Sequence, residues 1–192
     1  MFLSTNWLFL PSKSLIRRFQ QLIQETNAHV IHKPIDLMYI FSISGGLPVK
    51  QRSAQRQAYR LIEMEPWRRI HGIPIVQHPK YYPANPSLAH RVLLAAIEDS
   101  GSDSPAVQEF ARLGLEAVWA RELDITNEAA IVQLAEEAGL SGDRLLQRAK
   151  TEPLLAEQET ALMRRPKIGR GPFWGQDRLD MLDDPIVVPS LP

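Results

Sequence analysis

The chain contains no cysteine. Disulfide bonds, thiolate nucleophiles and cysteine metal ligands are therefore excluded, and so is any disulfide redox chemistry of the chain's own. An excess of charge of one sign is also lacking. Lys+Arg and Asp+Glu both number 22, so the net charge is zero. That argues against a nucleic-acid binder dominated by phosphate contacts. No stretch approaches the length of apolar chain that spans a membrane. Gly45-Gly46 lacks the following glycine and lysine of a phosphate-binding loop. The five histidines are His29, His32, His71, His78 and His90. No pair has metal-ligand spacing on one helical face, and His29 and His32 would point to opposite sides of a strand, so no metal site is expected. There is no fixed-period repeat and no low-complexity tract. The first eleven residues, Met1 to Pro11, have no basic segment ahead of their short, broken apolar run. A signal peptide is not expected, and a cytoplasmic, reducing compartment is the reading that follows, with no membrane partner.

What is present is ordinary globular material. The chain has 192 residues, 44% hydrophobic and 23% charged, enough for one domain with a substantial core and room for an inserted subdomain. Trp7 to Leu10 reads as a first strand, and Ser12 or Ser14 can cap a helix to about Thr26. His29 to Ile35 reads as a second strand closed by Pro34. Leu37 to Phe41 is a short helix or a lining segment, and Ser44 to Pro48 a flexible loop. The pattern from Gln51 to His71 is helical, with Pro66 expected to kink or restart it. Further helices are expected from Ser87 to Asp99, from Pro105 behind a Ser104 cap to about Arg121, from a Thr126 or Asn127 cap to Gly139, from a Ser141 cap to about Lys150, and from Pro153 to about Arg164. A strand-helix-strand start, a helical middle and a late turn-helix fit a βαβ unit interrupted by a helical insertion.

Phe173-Trp174-Gly175-Gln176-Asp177-Arg178-Leu179-Asp180-Met181-Leu182 concentrates two aromatics, a glycine turn and an adjacent Asp-Arg pair. Gly175 permits a tight bend, and Gln176 or Asp177 can cap a short helix whose N-terminus suits an anion. The other reading of the same residues is an aromatic anchor pinning the last helix to the core. This stretch resembles the C-terminal signature of the 2-hydroxychromene-2-carboxylate isomerase family, glutathione-dependent relatives of kappa-class glutathione transferases and of DsbA-like thioredoxin folds. Other segments are similar in the same order: Lys33 to Leu37, Gly45 to Pro48 with Arg56 to Arg60, Gly72 to Pro74, Tyr82 to Asn85, Ala117 to Ala120 with Asp124-Ile125, and Ala138 to Leu140.

The resemblance implies an α/β, thioredoxin-like fold of the DsbA and kappa glutathione transferase type, helix-dominated, with an all-helical insertion and an incomplete sheet. Residues 1–50 and 151–192 would form the discontinuous thioredoxin-like domain and residues 51–150 the insertion. Two departures stand out. The family's strand is followed by Ser-Pro-x-Ser, where this chain has Phe9-Leu10-Pro11-Ser12, and only Ser12 falls on a motif serine. The family's cis-proline loop and β-hairpin before Phe-Trp-Gly are replaced by the short stretch Arg164 to Pro172, too short for two strands of typical length.

Carried over to this chain, the resemblance implies glutathione as cofactor. Gly175, Gln176, Asp177 and Arg178 would hold its γ-glutamyl end, with Asp177 on the α-ammonium. A surface ion pair with a helix cap is the alternative for Asp177 and Arg178. Ser12 would donate a hydrogen bond to the glutathione sulfur as the catalytic hydroxyl; its alternative is an N-cap serine. The bound thiol would be the nucleophile of a reversible addition and elimination that isomerises a conjugated substrate. The substrate would be a small aromatic carboxylate in aromatic compound breakdown, with Asn85, Lys50 and Lys80 as contacts, or else as solvated loop residues. Competing readings are a kappa-like glutathione transferase and an inactive relative acting as a binding protein. Relatives dimerise, so the resemblance allows a homodimer, which no residue by itself shows.

Overall fold

Apolar side chains three and four residues apart decide most of this architecture, because each such row makes one face of a helix that must be buried. A computed structural model describes residues 2–5, 25, 31–34, 37–71 and 74–164. In order, these form strands β1 (Phe2–Thr5) and β2 (Ile31–Pro34), helix α1 (Leu37–Ser44), a 3-10 turn (Val49–Gln51), and helices α2 (Ala54–His71), α3 (Ser87–Ser100), α4 (Pro105–Trp119), α5 (Glu128–Glu137), α6 (Gly142–Thr151) and α7 (Pro153–Arg164).

The two strands pair in parallel, with Phe2 opposite Ile31 and Thr5 opposite Pro34. Parallel neighbours need a crossover, which agrees with the expected strand-helix-strand start. Of the expected helix before Thr26, Glu25 is described and helical. The expected strand Trp7 to Leu10 lies outside the described residues, and the first described strand is Phe2–Thr5 instead. Its two apolar residues followed by Ser4 and Thr5 are too short a pattern to stand out.

The helical layer is built around α3. Ala89, His90, Val92, Leu93, Leu94, Ala95 and Ala96 are all buried, so this helix is covered on most sides rather than along one stripe. It packs against α4, α6 and α7, while α5 closes against α4 and α6. Phe110, Leu113 and Val118 of α4 enter the core, and Leu115 is half-buried. Full burial of each large apolar side chain contributes about 1.5–3 kcal/mol, and Trp119, Phe110 and Leu93 are the largest of them. Helix α7 also packs against α1 and β2. It therefore touches both the strand region and the helical layer.

The helix ends follow local chemistry. Pro105 is the first residue of α4, with Ser104 at the cap position but without a capping hydrogen bond from its side chain. Asn127 caps α5 by accepting from the N–H groups of Ala129 (2.9 Å) and Ala130 (3.2 Å). The helix does not restart at Pro66, and α2 runs through it. Pro66 and Ile62 are both exposed, so the Ile62 carbonyl freed by the missing N–H is open to water. At the far side of α3, Arg148 of α6 reaches Glu98 (2.8 Å), Asp99 (2.6 Å) and the Ala95 carbonyl (3.2 Å), tying the two helices at their rim. No helix among the described residues is long and apolar enough to cross a membrane.

Candidate functional site

Ser12, Gly175, Gln176, Asp177 and Arg178 lie outside the described residues. The three other expected site residues are placed. Lys50 stands exposed in the 3-10 turn, where its carbonyl accepts from Gln57 Nε2 at 3.5 Å. Lys80 and Asn85 are both exposed on the loop between α2 and α3. No hydrogen bond or ion pair among the described residues joins Lys50 to that loop, so the structure brings Lys80 and Asn85 onto one segment and leaves Lys50 on another.

Asn85 has local work to do. Its Oδ1 accepts the Ser87 N–H at 3.0 Å, an Asx turn that leads the chain into α3. Its amide N–H₂ is not used by that bond. Lys80 Nζ sits over the Tyr81 ring, 4.9 Å from the centroid. The neighbouring Tyr81 side chain also raises the Lys80 ammonium above the ordinary lysine range, so this loop presents a cation near neutral pH.

The loop is pinned to the end of α4. The Val76 N–H donates to the Trp119 carbonyl at 2.8 Å, and the Lys80 N–H donates to Glu122 Oε1 at 3.1 Å. Glu122 has φ 49, the left-handed backbone that L residues seldom adopt. That bend sends the chain back so its carboxylate meets the loop. Tyr82 then packs on Trp119, ring centroids 4.8 Å apart and planes inclined by 45°. On the same indole, the Arg60 guanidinium of α2 sits 5.4 Å from the ring centroid. Gln77 Nε2 donates to the Leu61 carbonyl at 3.4 Å, a second tie between loop and helix. Two cations on aromatic rings, Arg60 and Lys80, thus flank one loop.

A second polar group is buried beside this region. Ser87, His90 and Arg91 fall at i, i+3 and i+4 on α3, hence on one face, and they converge on Glu159 of α7. Ser87 Oγ donates to Glu159 Oε2 at 2.9 Å. His90 Nδ1 lies 3.7 Å from Oε1 and Arg91 Nε 3.9 Å from Oε2, too long for hydrogen bonds, and the Arg91 guanidinium is close enough to offset the carboxylate's charge. Glu159 is 5% exposed and His90 fully buried. A carboxylate so far from water is tolerated only with such partners. The cluster is a fixed charge at the start of α3, adjacent in sequence to the Asn85 turn.

His32 is the third feature. It is buried on β2, and its backbone N–H donates to Ser102 Oγ at 2.9 Å, across the turn that follows α3. Burial pushes its imidazole down to about 4, against a smaller opposing pull from Asp103, so the ring is neutral near pH 7. No group of His, Asp or Glu side chains that would hold a metal ion occurs among the described residues.

The sequence reading missed Glu159, Ser87, His90 and Arg91 as a unit. Its one local trace is that Glu159 follows Leu155, a fully buried residue, by one helical turn; a charge at a core position of an amphipathic helix asks for a partner. Arg60 and Trp119 were visible as residues but not as a pair, since nothing in either segment points to the other.

Comparison with known proteins gives a consistent result. A family model described as the DSBA-like thioredoxin domain matches residues 11–187. No curated protein matches the chain. Among solved structures, one of SeMet 2-hydroxychromene-2-carboxylate isomerase (HCCA isomerase) is similar with a TM-score of 0.66. The match covers 95% of this chain and 90% of that one, at 20% sequence identity. At that identity the likeness is one of fold.

Proposed function

We propose, for a chain that belongs to the DSBA-like thioredoxin family, the glutathione-dependent isomerisation of a small conjugated aromatic carboxylate of the 2-hydroxychromene-2-carboxylate type. The fold class is the expected thioredoxin-like one, helix-dominated and with little strand among the described residues. The observation that carries the reading is a thioredoxin-like domain without a single cysteine. Such a domain has no sulfur nucleophile or redox couple of its own, and a bound thiol supplies what is missing. The similarity of fold to a 2-hydroxychromene-2-carboxylate isomerase supports the choice of reaction.

The residue types fit such a cofactor in kind: a serine and an adjacent Asp-Arg pair for a peptide-like ligand, with no competing thiol. Ser12 is assigned the hydrogen bond to the cofactor's sulfur, and Gly175, Gln176, Asp177 and Arg178 its γ-glutamyl end, all by resemblance. When bound, glutathione would supply the nucleophile for a reversible addition to the substrate. This chain's own contribution among the described residues is orientation. Lys80 offers a cation that stays protonated and Asn85 a free amide for the substrate's polar groups, with Lys50 a third contact. A reducing, cytoplasmic setting and assembly as a homodimer belong to the same proposal.

Calorimetric titration of the full chain with glutathione tests it, followed by turnover of 2-hydroxychromene-2-carboxylate monitored by absorbance. Saturable binding with turnover is the expected result, and no binding at millimolar glutathione would sink it. One observation favours a second reading, an inactive relative serving as a binding protein. The stretch Arg164 to Pro172 leaves too little chain for the cis-proline loop and hairpin that the resemblance leads one to expect. Glutathione binding without turnover of any conjugated electrophile would decide for it.

A further inference from the structure

We propose that the step formed by Arg60, Tyr82 and Trp119 is a docking site for a small planar carboxylate, with Arg60 holding the carboxylate and Tyr82 flanking the ring. This deepens the reading above by naming a substrate contact that it does not contain; only the identity of the anion as the substrate rests on that reading.

Three independent observations converge here. The first is in the sequence: between Asp36 and Glu63 there is no acidic residue, while Lys50, Arg52, Arg56 and Arg60 all fall within that span. Arg56 and Arg60 stand one helical turn apart on α2, so the positive charge runs along one face toward the loop. Such a row raises the local concentration of anions.

The second is the state of Arg60 itself. Most other arginines on these helices are matched to carboxylates, Arg68 to Glu65, Arg112 to Glu109 and Glu116, Arg121 to Glu137, and Arg144 and Arg148 to Asp99, while Arg56, one turn before Arg60, is exposed and also without an ion pair among the described residues. Arg60 has no ion pair among the described residues. It is half-buried against Trp119. A guanidinium seated on an aromatic face is held still and keeps its N–H edges for an anion, which it can grip in bidentate fashion.

The third is what surrounds it. Tyr82 is half-buried and tilted on Trp119, which leaves aromatic surface beside the cation. Trp119 beneath is 1% exposed, so it supports Arg60 and Tyr82 from within and leaves the Arg60 N–H groups as the donors at this step. The carboxylates nearby are Glu63, one turn further along α2, and Glu122, whose Oε1 takes the Lys80 N–H. Cation and phenol, both seated on the buried Trp119 indole, together select a ligand that is both anionic and flat. A phosphate lacks the ring and a neutral arene lacks the charge.

The test uses the full chain and salicylate as the probe, with salicylamide as its uncharged counterpart, titrated by calorimetry and by NMR line shifts. Wild type is expected to bind salicylate saturably and salicylamide at least tenfold more weakly. R60Q should lose salicylate affinity by about tenfold or more, as expected for a hydrogen bond to a charged group. R60K, which keeps the charge, should fall between, and R69Q, on the exposed and Glu65-paired part of α2, should match wild type. Far-UV circular dichroism and the melting temperature establish that each variant is folded; should R60Q not fold, R60K and Y82L carry the comparison. The proposal is overturned if wild type shows no saturable binding, if salicylamide binds as well as salicylate, or if Arg60 and Tyr82 variants bind it unchanged. Glutathione is titrated in parallel. Salicylate binding without glutathione binding sinks the isomerase reading and leaves this site standing, while the opposite pattern does the reverse.

Discussion

Neutralising the pH response of one buried histidine should flatten the acid limb of this protein's stability. His32 is 6% exposed on β2, opposite Leu3 of β1, with its N–H on Ser102. In the unfolded chain its imidazole takes up a proton near pH 6.5; in the fold burial holds this down to about 4. The folded-state value is depressed, so the neutral ring's contribution is fully present above pH 6.5 and is lost as the pH falls toward 4. The gap at about 1.36 kcal/mol per pH unit corresponds to roughly 3 kcal/mol over the whole window. Integrated from neutral pH, the loss is about 1.4 kcal/mol at about pH 5.5 and about 2.5 kcal/mol at about pH 4.5. That is a large part of the total stability of a domain, which is roughly 5–15 kcal/mol. The comparison is between wild type and His32→Leu, each unfolded by urea at about pH 7.5, 5.5 and 4.5. Other titrating groups are common to both and cancel in the difference. The leucine variant should lose its disadvantage, or gain on wild type, by the stated amounts as the pH falls. Two parallel pH curves would refute the reasoning, and so would an imidazole whose NMR titration centres near 6.5.

Glu159→Ala should destabilise by about 2 kcal/mol, because it leaves the Ser87 hydroxyl without its acceptor and removes the carboxylate beside Arg91; Glu159→Gln, which keeps an acceptor for Ser87, should cost less in the same urea titration. Asn85→Ala should lower stability by about 1 kcal/mol through loss of the turn into α3. If Asn85 also contacts substrate, kcat/KM falls beyond what the unfolded fraction explains, whereas a purely structural Asn85 leaves turnover per folded molecule unchanged.

What could be read in the sequence divides along the range of the forces involved. Starts such as Pro105 and Pro153, and the cap at Asn127, were legible because first-turn prolines and caps act within a few residues. So was the end of α5, where Gly139 takes φ 83 and a side chain would cost roughly 1 kcal/mol. β1 was not, since Phe2–Thr5 becomes a strand only by pairing with Ile31–Pro34, and its own pattern is two apolar residues long. At Pro66 the helix continues where a restart was one of the two expected outcomes. The local rule is sound, but an exposed helix can hand the freed carbonyl to water.

The same division explains why the candidate site was the least legible part. Resemblance alone gave Phe173 to Leu182, and those residues lie outside the described ones. Among the described residues, polar side chains gain their meaning from partners far along the chain: Glu159 from Ser87, Arg60 from Trp119, Lys80 N–H from Glu122. In each case one partner sits on a helix whose local pattern is satisfied without it. Helix α7 makes the point most sharply. Among its described side chains Leu155 and Glu159 are the buried ones, and Glu159 is buried one turn after Leu155 because α3 presents Ser87, His90 and Arg91 there. A carboxylate in that place costs more than a leucine would, and packing gains nothing from it. The group is therefore better understood as fixing how α7, which also contacts β2 and α1, is seated on α3. A leucine at that position would tolerate α7 sliding by a turn; a carboxylate that must meet Ser87 would not.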